Sequence, residues 1–84
     1  MSDREVTQRL QSVFNKVTGR NDVILSPGLR LNSISNINSF VLIQLVCAVE
    51  NEFDIEISNN SIRSLKTTDD VVRVIKKALK DGKD

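Results

Sequence analysis

Ser39 is the residue whose type and setting point to chemistry. It heads an apolar-rich run, Phe40-Val41-Leu42-Ile43-Gln44-Leu45-Val46-Cys47-Ala48-Val49, which closes in Glu50-Asn51-Glu52-Phe53-Asp54-Ile55-Glu56-Ile57. A helix beginning at Ser39 would present a primary hydroxyl beside unpaired backbone N–H groups and the positive end of the helix dipole. Both favour a phosphate-bearing group at that place. Other reactive side chains are scarce. The chain has no histidine and a single cysteine, so imidazole catalysis, a thiolate metal cluster and an internal disulfide are all excluded. Three glycines form no phosphate-binding loop. Carboxylates remain, but 84 residues leave little room for a cleft that would tune their pKa. The chain is read as a non-enzyme with no metal site.

The elements that must position Ser39 follow from periodicity. Val6, Leu10, Val13, Phe14 and Val17 form one apolar stripe on a helix over about residues 3–18, which Gly19 ends in the left-handed conformation. Residues 20–38 make a long first loop around Pro27 and Gly28. A loop of that length needs anchoring, and Val23, Ile24, Leu25, Leu29, Leu31, Ile34 and Ile37 are expected to supply it. The second helix is expected from Ser39 to Glu52, with Asn38 and Ser39 as capping candidates. Its apolar residues cover more than one face. Phe40, Ile43 and Val49 are expected inward, whereas Val41, Leu42 and Val46 cannot all follow them, which leaves a surface for another protein.

A short helix falls within residues 58–65, around Ile62 and Leu65. Thr67 and Asp70 then resemble a capping box for a last helix over about 68–80. That helix should bury Val71, Val72, Ile75, Ala78 and Leu79 and expose Arg73, Lys76, Lys77 and Lys80. The fold class is all-α in a single domain, residues 1–84: three main helices, one short helix and a long first loop.

The register from Ser39 resembles the acyl carrier protein family. That family shows Gly-x-Asp-Ser-Leu, then Glu-Leu at five and six residues, and acidic residues before a Phe at fourteen. Here Gln44-Leu45, Glu50, Glu52 and Phe53 occupy those places, and Asp54-Ile55-Glu56-Ile57 and Thr67-Thr68 continue the pattern. The resemblance spans most of the chain. It implies an acyl-carrier-like bundle whose Ser39 receives a covalent phosphopantetheine arm from coenzyme A. The arm would hold acyl or aminoacyl intermediates as a thioester, in lipid or secondary-metabolite biosynthesis. The implied partners are a phosphopantetheinyl transferase and acyl-activating, condensing or acyl-transfer enzymes.

On this resemblance, three departures imply a specialised form of such a carrier. Asn38 stands for the motif aspartate, Asn36 for the glycine and Phe40 for the leucine after serine. Asn38 can still cap and orient the helix, but it lacks the charge that a generic transferase reads. The partner surface is expected at Phe40, Val41, Gln44, Val46 and Cys47, with Glu50 and Glu52 at its rim. The alternative is a degenerate carrier fold serving, unmodified, as a protein–protein interaction module.

Remaining features have plainer readings. Cys47, in apolar company, is read as a small packing residue rather than a reactive thiol. Ser33 and Ser35 lie near Ser39 but lack its downstream spacing. The basic face from Arg73 to Lys83 has no Tyr or Trp beside it for base stacking, so it is a solvated helix face and not a nucleic-acid site. Net charge of +1 conceals a division. Residues 31–60 hold four acids, Glu50, Glu52, Asp54 and Glu56, and no base, which is a block suited to steering toward basic enzyme surfaces. No apolar run reaches the roughly 18 residues of a membrane span, and the polar start, Met1-Ser2-Asp3-Arg4-Glu5, is no signal peptide. A cytoplasmic location is expected.

Overall fold

A computed structural model describes residues 2–81. Four α-helices follow one another: α1 (Asp3–Thr18), α2 (Ser39–Phe53), α3 (Asn59–Arg63) and α4 (Thr68–Asp81). A 3-10 turn, Leu31–Ser33, interrupts the long first loop. The all-α bundle read from the sequence is the observed architecture. Lys83, counted on the basic face, lies outside the described residues.

Each helix begins where its sequence supplies a cap. Ser2 and Glu5 form a capping box at α1, with the Glu5 N–H donating to Ser2 Oγ at 3.2 Å and the Ser2 N–H donating to Glu5 Oε1 at 3.0 Å. Gly19 closes α1 at φ 69°, a left-handed position that glycine adopts without penalty. At α4 the expected box is present with aspartate in the return position. The Asp70 N–H donates to Thr67 Oγ1 at 3.3 Å, and Asp70 Oδ2 accepts from the Thr67 N–H at 3.0 Å.

The core is one cluster. Val6, Leu10, Val13 and Phe14 of α1 meet Val49 and Phe53 of α2 and Val72 and Ile75 of α4, with Leu25 and Ile34 inserted from the first loop. That loop is held by polar contacts as well. The Gln11 side chain accepts from the Leu25 N–H and donates to the Val23 carbonyl, both at 2.8 Å. Further along, the Leu31 N–H donates to the Lys66 carbonyl at 2.8 Å and the Thr68 N–H to the Leu29 carbonyl at 3.0 Å, pinning the loop to the start of α4. Ile24 is not one of the anchors; it is 74% exposed.

Two inward assignments on α2 are corrected. Phe40 is 69% exposed and Ile43 56% exposed, whereas Val49 is buried as expected. The helix turns 100° per residue, so Phe40, Ile43 and Cys47 share one stripe, and the packing direction of α1 sets that stripe toward solvent. On α4, Val72 and Ile75 are buried while Val71, Ala78 and Leu79 are half-buried, and Arg73, Lys76, Lys77 and Lys80 are exposed as expected.

Candidate functional site

Ser39 is the first residue of α2 and is exposed. Asn38 precedes it in an extended conformation, φ −120° and ψ −177°, and its Oδ1 accepts from the Val41 N–H at 3.0 Å. The Asn38 carbonyl accepts the first helical bond, from the Leu42 N–H at 2.9 Å. The cap therefore survives the exchange of aspartate for asparagine. The motif glycine has a physical explanation too: Asn36, in its place, sits at φ 65°. Asparagine is one of the few residues other than glycine that visit this region routinely.

Ser39 opens onto a groove of about 330 Å³ lined by Arg30, Leu31, Asn32, Ile37, Asn38, Leu42, Leu65 and Lys66. Arg30 and Lys66 come from distant parts of the chain, brought side by side by an antiparallel bridge between Arg30 and Thr67. Neither side chain is in an ion pair among the described residues. The sequence from Val23 to Val49 contains no acid. The hydroxyl thus sits at a helix N-terminus in a locally cationic setting, and the site fits a phosphodiester on Ser39.

Below the groove lies an apolar cavity of about 50 Å³, enclosed by α1, α2, α4 and the first loop. Leu31, Ile37, Leu42 and Leu65 line both spaces, so one apolar wall runs from beside Ser39 into the core. Among the cavity's other lining residues are Leu10, Phe14, Leu45, Val46 and Val49. Thr68 also lines it; this residue is 1% exposed, and its Oγ1 has no hydrogen-bond partner. A buried hydroxyl left in that condition costs about 1–3 kcal/mol.

The expected partner surface is partly reassigned. Phe40, Gln44 and Cys47 are exposed and Val41 half-exposed, on the side of α2 away from the core. Val46 does not belong with them. It is 7% exposed and lines the cavity, because its position in the helical turn matches that of Leu42 and Val49. Cys47 is exposed rather than packed, which corrects its reading as a packing residue.

The rim acids are engaged internally. Glu50 is half-buried, and its Oε2 accepts from the Ile57 N–H at 2.8 Å, holding the segment after α2. Arg9 pairs with Glu52 at 2.9 Å and stacks on the Phe53 ring, 4.7 Å from its centroid. Half-exposed pairs of this kind contribute about 0–1 kcal/mol. Of the rival serines, Ser33 donates its hydroxyl to the Arg30 carbonyl at 2.6 Å, and the Ser35 carbonyl accepts from Arg20 at 2.5 Å. No metal-holding cluster of His, Cys, Asp or Glu and no helix long and apolar enough to cross a membrane occur among the described residues.

The chain is a helical bundle with an exposed serine at the head of α2. No family model matches the chain. An acyl carrier protein of Thermobifida fusca (strain YX) is 24% identical over 76 residues, covering 90% of this chain and 96% of that protein. The solution structure of a holo acyl carrier protein from Geobacter metallireducens aligns with a TM-score of 0.84 at 19% identity, covering 92% of this chain and 88% of that one. The chain has the acyl carrier protein fold, and the resemblance read from the register around Ser39 is borne out along nearly its whole length.

The residues that sequence reasoning missed are Arg30, Lys66 and Thr68. Nothing in the local sequence marks Arg30 and Lys66, which only the loop-to-loop bridge gathers at the groove, and the pattern that includes Thr67-Thr68 does not say that Thr68 lines the cavity beneath.

Proposed function

We propose that this protein is a specialised carrier, not an enzyme, which holds acyl or aminoacyl intermediates on a phosphopantetheine arm attached to Ser39. The observation that supports this most is the exposed Ser39 hydroxyl at a capped helix N-terminus, facing a groove with Arg30 and Lys66. In the loading reaction Ser39 Oγ attacks the β-phosphorus of coenzyme A. A new P–O bond forms, the pyrophosphate bond breaks, adenosine 3′,5′-bisphosphate leaves, and the serine proton passes to the transferase. When bound, the arm supplies the thiol that holds cargo as a thioester.

This chain's own residues then present and shelter. Asn38 fixes the start of α2, and the unpaired N–H groups of its first turn, with Arg30 and Lys66, favour the phosphodiester. Phe40, Ile43, Gln44 and Cys47 offer an uncharged stripe to partner enzymes, so docking relies on apolar contact more than on the acids of the helix end. The shared wall of Leu31, Ile37, Leu42 and Leu65 gives a short cargo chain a route into the cavity. The partners are a transferase and acyl-activating, condensing or acyl-transfer enzymes, in the cytoplasm.

The test is intact mass after incubation with coenzyme A, magnesium and a promiscuous phosphopantetheinyl transferase, with Ser39→Ala alongside. A gain of one phosphopantetheinyl unit that the variant loses is the expected result. Absence of a gain in both wild type and Asn38→Asp would return the chain to an unmodified interaction module.

A further inference from the structure

A partner that reaches Ser39 must cover a face with two features. Along α2, Phe40, Ile43, Gln44 and Cys47 are exposed and uncharged, with Phe40 69% and Ile43 56% in solvent. On the groove that holds Ser39 stand Arg30 and Lys66, both exposed and neither in an ion pair among the described residues. Ser39 and Ile43 are one helical turn apart, so the apolar stripe borders the cationic groove directly. No acid offsets the cations. The chain from Val23 to Val49 contains none, and the next two acids are engaged elsewhere: Glu50 accepts from the Ile57 N–H and Glu52 pairs with Arg9. Asp54 and Glu56 lie past the far end of α2, about 20 Å from Ser39 along the helix axis and roughly two screening lengths away at physiological salt.

We infer that this face is built for a partner whose docking surface is an apolar recess rimmed by Asp and Glu. The inference rests on the carrier reading and names the surface chemistry of the partner enzymes. Phe40 and Ile43 are the anchors, because large apolar side chains desolvated at the centre of an interface carry most of its binding energy. Arg30 and Lys66 choose the partner: opposite carboxylates they speed encounter and fix orientation, and opposite another basic surface they repel it. Asn38 fits the same scheme, since a carboxylate at that position would have offset the rim. Loading does not abolish the charge. A phosphodiester carries a single negative charge, which leaves the Arg30 and Lys66 pair net positive beside it.

The experiment titrates the ¹⁵N-labelled chain, unmodified and phosphopantetheinylated, with two helical peptides. Both have the same leucine face, flanked by glutamates in one and by lysines in the other. At low salt the glutamate peptide should bind about fivefold more tightly, shifting the amides of Phe40, Ile43 and Cys47 together with those of Arg30 and Lys66. The preference should collapse at about 0.5 M salt and reverse in Arg30→Glu/Lys66→Glu. Phe40→Ala should weaken both peptides alike. Equal affinities, tighter binding of the lysine peptide, an unchanged order in the double variant or shifts confined to another face would overturn the inference. Sedimentation of the free chain at the same concentrations should show a monomer; a dimer that buries Phe40 and Ile43 would put a second copy on this face and overturn it too. Intact mass keeps the two readings apart. A glutamate preference in a chain that never takes the arm sinks the carrier reading alone, whereas an arm without the preference sinks the acid-rimmed partner alone.

Discussion

Arg30 and Thr67 face each other as an isolated antiparallel bridge, and that pairing sets Arg30 and Lys66 on the rim of the groove that Ser39 enters. The loaded protein should show it. In the phosphopantetheinylated form the ³¹P resonance should move as salt is raised to about 0.5 M, where screening is strong. In Arg30→Gln/Lys66→Gln that salt response should largely vanish, with the fold unchanged by circular dichroism. An identical response in the double variant would show that the cations do not face the phosphate.

Asn38 separates folding from recognition. Asn38→Ala removes the bond to the Val41 N–H and should cost about 1 kcal/mol of stability by chemical denaturation. Asn38→Asp keeps the cap and restores a carboxylate beside Ser39, so its stability should stay near wild type while loading by a generic transferase speeds up. Equal loading rates for Asn and Asp would mean that the transferase does not read this charge.

The exposed and buried sides of α2 should respond in opposite ways. Phe40→Ala and Ile43→Ala lie in solvent and should change stability by no more than about 0.5 kcal/mol while slowing transfer to partner enzymes. Val46→Ala empties part of the core and should cost on the order of 2 kcal/mol. A Phe40→Ala protein that unfolds like Val46→Ala would place Phe40 inside after all.

Cys47 should take up one equivalent of a small alkylating reagent under native conditions, read by intact mass, because it stands on the solvent side of α2. Protection that disappears only in denaturant would contradict that exposure.

Acid should loosen the molecule from the helix starts. Accepting from the Lys66 backbone N–H, with Arg73 beside it, holds the Asp70 carboxyl below its ordinary range; Glu5 is lowered chiefly by the Ser2 N–H. A depressed carboxyl stabilises above its unfolded pKa, and that contribution fades as pH falls through the folded value. The melting temperature should therefore be steady near neutrality and decline once pH drops below about 4. In Asp70→Asn the decline should be shallower. A decline of the same steepness in the variant would remove Asp70 from the account.

What this chain's sequence determined by itself is local. Capping pairs such as Thr67 and Asp70, the stripe from Val6 to Val17, the left-handed Gly19 and the register from Ser39 to Phe53 are relations within a few turns of chain. Covalent geometry and hydrogen bonding act there without outside help. Tertiary structure decided which side of α2 faces the core. Phe40, Val41, Leu42, Ile43 and Val46 are all apolar, so periodicity alone offers no preferred face, and only the direction from which α1 packs buries Val46 and leaves Phe40 out. It also decided the surroundings of Ser39. Arg30, Lys66 and Thr68 reach the groove and cavity through backbone bonds between segments far apart in the chain, and such long-range pairing follows from burial of the whole core, to which no single stretch of residues holds the key.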